Sequence, residues 1–173
     1  RGLTINLNAD NAGLFRVTQG AVVRGVHLVG GSVKGNTAVG PLVGYQFAGL
    51  VEDCLSETDI QATGNHGGGL VGRIESYATV RRSAATGSVT VGGSYAGGLV
   101  SYMAGGTSRI EDSYARGDVK AANYCGGFIG GGADQFAIRD CYSAGVVTCS
   151  STAGGFFARN DTGRTVTGCC WDS

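Results

Sequence analysis

The sequence predicts an all-β fold, a right-handed parallel β-helix (β-solenoid) of about six rungs, each of about 28 residues with three short strands. Three observations carry this reading. A Gly-Gly-apolar-apolar run recurs at a fixed step. The apolar segments between its copies are short, β-branched or aromatic, and show no helical periodicity. Glycine is abundant in a chain that is otherwise apolar.

The run reads G-G-L-V-G at residues 68–72, G-G-L-V-S at 97–101, G-G-F-I-G at 126–130 and G-G-F-F-A at 154–158, with variants G-P-L-V-G at 40–44 and A-G-L-F-R at 12–16. Its first apolar residue is Leu14, Leu42, Leu70, Leu99, Phe128 and Phe156, at steps of 28, 28, 29, 29 and 28. Val23, Val51, Val80, Ile110, Ile138 and Val166 form a second column, and Ile5, Val33, Ile60, Val89, Val119 and Val147 a third. A unit this small cannot bury its own apolar side. Stacked units can, when each strand bonds to its equivalent in the next rung, about 4.8 Å away. Paired glycines are expected to turn the corner before the first strand with positive φ.

Composition narrows the class. With 33 glycines, one proline, 42% hydrophobic and 15% charged residues, the chain reads as ordered rather than disordered. Thirteen basic and thirteen acidic residues balance, without a basic stripe, so no nucleic-acid partner is expected. No apolar run approaches the roughly 18 residues of a membrane span. Six cysteines favour an oxidising compartment, hence a secreted, extracellular or cell-surface location. There is no C-x-x-C, and His27 and His66 stand apart, so neither a metal nor a cofactor is expected. Residues 1–173 read as a single solenoid segment of a longer chain, because the first residues supply only the third strand of a rung and the last finish a second strand.

Laid out by column, the chain resembles the bacterial-type GLUG repeat family, whose unit runs G-G-L-V-G, a spacer, then I-x-N-C-Y-A-x-G-x-V. The best copies are G-G-L-V-S at Gly97 with I-E-D-S-Y-A-R-G-D-V at Ile110, and G-G-F-I-G at Gly126 with I-R-D-C-Y-S-A-G-V-V at Ile138. C-C-W-D at 169–172 is similar to the C-Y-W-D run that ends such arrays. Pro41, Arg82 and Cys170 depart from the pattern, and Cys125, Cys149 and Cys170 lie outside its usual cysteine slot. The resemblance implies large secreted or cell-surface proteins, adhesins among them, and a scaffold more than an activity.

Several residues invite chemistry. Cys54, Cys141 and Cys169 share a column with Ser83 and Ser113. Neighbouring rungs put Cys141 within disulfide reach of Cys169, with Cys170 as a second partner, and leave Cys54 free. Cys125 and Cys149 precede successive Gly-Gly corners and are expected to bridge. Asp53, Asp112 and Asp140 share a column broken by Arg82 and Gly168. Paired carboxylates serve glycosidic chemistry, but turn-forming Asp is the stronger reading, and no catalytic residue is assigned. Tyr114 and Tyr142 form a two-rung stack expected to pack inside. Asn160 heads a glycosylation sequon. Arg116-Gly117-Asp118 is an integrin-type tripeptide, yet Gly117 falls in the repeat's own turn column with Gly87 and Gly145.

These readings favour a non-catalytic extracellular structural or adhesive segment of a surface or filament protein, with neighbouring domains or copies as partners. The alternatives are a glycan-binding face on the solenoid and, behind it, a polysaccharide-degrading β-helix.

Overall fold

The computed structural model of the protein describes residues 2–159 and 163–172. Every strand pairing among them is parallel and joins one turn of the coil to the next. Five sheets run along the rod. Sheet I holds Phe15–Gln19, Val43–Phe47, Val71–Glu75, Val100–Ala104 and Ile129–Gly132. Sheet II holds Val22–Arg24, Leu50–Glu52, Thr79–Arg81, Ser108–Glu111, Phe136–Arg139 and Thr165–Thr167. Sheet III holds His27–Leu28, Leu55–Ser56, Ala84–Ala85, Tyr114–Ala115, Tyr142–Ala144 and Cys170–Asp172. Sheet IV holds Leu3–Asn6, Gly31–Gly35, Asp59–Ala62, Val89–Val91, Val119–Ala121 and Val147–Cys149. Sheet V holds His66–Gly68, Tyr95–Gly97, Tyr124–Gly126 and Thr152–Gly154.

The fold is therefore a parallel β-solenoid of about six turns, and the three apolar columns keep their register. Val23, Val51, Val80, Ile110, Ile138 and Val166 pair in line along sheet II. Ile5, Val33, Ile60, Val89, Val119 and Val147 do so along sheet IV. Full turns carry five strands rather than three. The two extra strands are too short for alternation to reveal: sheet III strands are two or three residues long, and sheet V is built on the Gly-Gly run itself.

The glycine pairs act differently from the expectation. None of Gly68, Gly69, Gly97, Gly98, Gly126 and Gly127 has positive φ; they are glycine because backbone lies where a Cβ would stand. At Gly97 a Cβ would sit 1.9 Å from the Val100 carbonyl oxygen, and at Gly126 it would sit 1.8 Å from that of Ile129. The second glycine faces inward. A Cβ on Gly98 would meet the Gly127 oxygen at 2.0 Å and the Ala115 Cβ at 2.9 Å; on Gly69 it would meet the Ala85 Cβ at 2.9 Å. Sheet III answers with small buried residues, Ser56, Ala85, Ala115 and Ser143.

This small-on-small contact pinches the coil into two lobes. The larger core lies between sheets I, II and III and includes Leu42, Leu70, Leu99 and Phe128, all fully buried. The smaller lies between sheets IV and V, around Val33, Ile60, Val89, Val119, Ala96 and Cys125. Phe128 stacks on Phe156 in the next turn at 4.7 Å between centroids.

Gly98→Ala is expected to destabilise the fold by about 1–3 kcal/mol, since the added carbon meets the Gly127 backbone and an Ala115 methyl that has no rotamer to yield. Urea denaturation checks it, with Thr148→Ala on the exposed face of sheet IV as a control within about 0.5 kcal/mol of the parent.

Candidate functional site

The aspartate column marks a left-handed corner between sheets II and III. Gly25, Asp53, Arg82, Asp112, Asp140 and Gly168 all have φ between 45° and 67°. Asp, Asn and Gly tolerate this region best, which accounts for the acidic residues without any catalytic demand. Arg82, the least suited, is held there by its Nε donating to Asp53 Oδ1 at 2.8 Å.

The next column points inward and mends the backbone at this corner. Ser83 and Ser113 donate their hydroxyls to the carbonyls of Arg81 and Glu111 at 2.8 and 2.7 Å. The thiols of Cys54, Cys141 and Cys169 do the same toward Glu52, Arg139 and Thr167, at 3.1, 2.9 and 3.2 Å. Burial pushes the Cys141 thiol up to about 12, and raises those of Cys54 and Cys169.

Cys125 and Cys149 are joined by a disulfide with Cα atoms 5.8 Å apart, which ties sheet V to sheet IV inside the smaller lobe. Cys54, Cys141, Cys169 and Cys170 are free. Neither bridge within reach of Cys141, to Cys169 or to Cys170, is formed. In-register neighbours in a parallel sheet stand about 4.8 Å apart, whereas disulfide Cβ atoms average about 3.8 Å. Cys170 is exposed on the outer side of sheet III, away from the buried Cys141.

The Arg-Gly-Asp tripeptide is committed to its own turn. Gly117 is buried, and a Cβ there would lie 1.9 Å from the Gly87 oxygen. Asp118 Oδ1 accepts the Val146 amide hydrogen at 2.9 Å, as Asp59 accepts that of Ser88 at 2.7 Å. The Arg116 guanidinium lies 5.5 and 5.8 Å from the ring centroids of Tyr114 and Tyr142. Those two tyrosines pair in register but face outward, with Tyr114 39% exposed, so they do not fill the core. The Asn160 sequon lies outside the described residues. Among the described residues, no three His, Cys, Asp or Glu side chains come together to hold a metal ion.

Two arrangements escape the sequence reading. Along the outer face of sheet II, Arg24, Glu52, Arg81, Glu111 and Arg139 stand opposite one another in successive turns, alternating in sign. Glu52 is almost wholly buried beneath Arg24, Arg81 and Arg82, with Arg24 and Arg81 nitrogens at 2.5 Å. Burial works to raise its carboxyl, but hydrogen bonds from Arg81, Arg82 and Arg24 outweigh it and hold the group below its ordinary value of 4.5. The signal was present one residue after each second-column anchor.

The other arrangement is a groove. Outward residues of sheets I and V touch across the Gly-Gly apex, so these outer faces form a concave wedge. His66, Tyr95 and Tyr124 stack up the sheet V wall at 5.1 and 4.9 Å. On the sheet I wall Arg73 lies between Tyr45 and Tyr102, 6.0 and 5.5 Å from their centroids, and Tyr102 meets both His66 and Tyr95 edge-on. Tyr45 donates to Glu75 at 2.5 Å, and burial together with that bond raises its hydroxyl to about 12. Burial, then the charge of Arg73, pushes the His66 ring down to about 4. The wedge explains the last residue of G-G-L-V-G: a Cβ on Gly72 would lie 2.5 Å from the Ala38 carbonyl carbon, and on Gly130 it would lie 2.7 Å from the Ala96 oxygen. Ser101 takes that place once, and its hydroxyl donates to the Tyr95 carbonyl at 3.0 Å.

Residues 92–120 span one such apex, one left-handed corner and one turn glycine, and they match the family described as Glug, the GLUG motif. The chain carries the GLUG motif. Over 94 residues, 51% of its length, it is 42% identical to halomucin of Haloquadratum walsbyi (strain DSM 16790 / HBSQ001), of which the match spans 1%. No solved structure matches the chain at a significant level. In the GLUG unit, then, the glycines form the apex of the wedge. The residue before Tyr114, which is cysteine in other turns, caps a carbonyl at the corner.

Two of the shifted groups, His66 and Glu52, lose stability toward acid. His66 has a folded value below its ordinary 6.5, so its contribution is complete above pH 6.5 and declines toward pH 4. Glu52 contributes above 4.5 and loses that contribution as pH falls through its lower folded value. Urea midpoints across pH are expected to show both limbs, with His66→Phe flattening the upper and Glu52→Gln the lower. Thiol alkylation without reductant is expected to modify Cys170 at once and Cys169 more slowly. Cys54 and Cys141 should react only on unfolding, and Cys125 and Cys149 only after reduction.

Proposed function

We propose that this chain is a non-catalytic structural or adhesive β-solenoid segment of an extracellular surface or filament protein. The observation that carries the reading is the use to which the reactive-looking columns are put. The aspartates shape a left-handed corner, the cysteines and serines cap carbonyls, and Asp118 caps the amide of the next turn. Side chains that resemble catalytic or recognition groups serve the stacking of one turn on the next. A chain built this way resists unwinding and presents long, regular faces, as a stalk or surface layer requires.

Further support comes from the disulfide between Cys125 and Cys149, which suits an oxidising compartment. The GLUG resemblance implies secreted or cell-surface proteins, and the stretch matched in halomucin is a small fraction of a far longer protein. Neighbouring domains or copies stacked on the rod are the partners this role calls for.

An antibody raised against this segment is expected to label intact, unpermeabilised cells that make the natural protein. Labelling that appears only after permeabilisation would overturn the extracellular placement.

A further inference from the structure

The groove between sheets I and V is interrupted at one place. On the sheet I wall the column runs Tyr45, Arg73, Tyr102 and then Gly131. Arg73 covers Tyr102 from the turn below, but in the turn above its column offers no side chain. Gly131 is required there, because a Cβ would lie 2.7 Å from the Tyr95 ring. A cavity of about 370 Å³ opens beside these rings, lined by Tyr95, Tyr102, Ala133, Asp134, Arg159 and Arg164. That volume falls within the roughly 300–1,000 Å³ of ligand sites.

A second cavity, of about 190 Å³, lies lower in the same groove and repeats the composition, with Tyr45, His66, Arg73 and Asp10 on its walls. Each has an aromatic ring, a guanidinium and a carboxylate. The upper rim is braced from within the chain. Arg164 donates to the carbonyls of Gly132, Asp134 and Arg159, and Asp134 Oδ2 accepts the Gly105 amide hydrogen at 2.9 Å.

We propose that this groove binds a linear pyranose polysaccharide, with subsites at Tyr102 and at Tyr45. A pyranose ring has an apolar C–H face that packs on an aromatic ring and a rim of hydroxyls that bond to planar donors and acceptors of both signs. Two separate subsites of like composition, set along the solenoid axis on either side of Arg73, suit a repeating polymer better than an enclosed small molecule. The inference goes beyond the structural role proposed above, since it assigns a ligand class to one face of the rod.

Native electrophoresis through gels containing a neutral β-glucan, a mannan, alginate or polygalacturonate tests it on the folded chain. Retardation is expected in at least one gel. Tyr102→Ala should weaken it by at least about tenfold, as loss of an aromatic anchor does. Ala133→Leu, which fills the cavity while leaving the rings in place, should weaken it comparably with an unchanged thermal midpoint. Tyr114→Ala with Tyr142→Ala, on the outer face of sheet III, should leave it unaltered. No retardation in any gel, or retardation that survives both Tyr102→Ala and Ala133→Leu, overturns the proposal. Either result leaves the structural role to be judged separately by cell labelling.

Discussion

The rest of the structure depends on the contact between the second glycine of each Gly-Gly pair and a small residue of sheet III. Gly69 against Ala85, and Gly98 against Ala115, bring opposite walls of the coil to within one methyl group of each other. Packed interiors cannot absorb an extra carbon at such a point. The contact divides the apolar interior into two lobes and sets the sharp angle between sheets V and I. Because it recurs each turn, small deviations do not accumulate along the rod.

That angle has an outer consequence. A coil with only convex corners would splay its outward side chains into solvent. At the wedge they converge, so His66, Tyr95, Tyr102, Tyr124 and Arg73 pack on each other outside the core. The result is a second packed layer made of amphipathic residues, rigid where the column is full and open where Gly131 interrupts it.

Parallel register imposes the other main constraint. A residue repeated at one position meets its own kind about 4.8 Å away, which suits Val on Val and penalises like charges. The sheet II face resolves this by alternating sign from Arg24 to Arg139. The same spacing keeps Cys141 and Cys169 as separate thiols, while Cys125 and Cys149 meet because they approach from different sheets across the smaller lobe.

Period, strand type and register were legible in the chain alone, since each turn must present apolar residues at the same positions to bury anything. Leu42, Leu70 and Leu99, or Val51 and Val80, reveal the stacking without coordinates. The alternating charges were also written there, one step past Val23, Val51, Val80, Ile110 and Ile138. What only the tertiary structure decided is which way the corners bend. Glycine permits positive φ and close approach alike, and sequence does not distinguish them. Here the paired glycines serve close approach, and Asp53, Asp112 and Asp140 take the left-handed corner. The groove followed from that choice, because Tyr102 and Tyr95 become neighbours only once two sheets have folded toward each other.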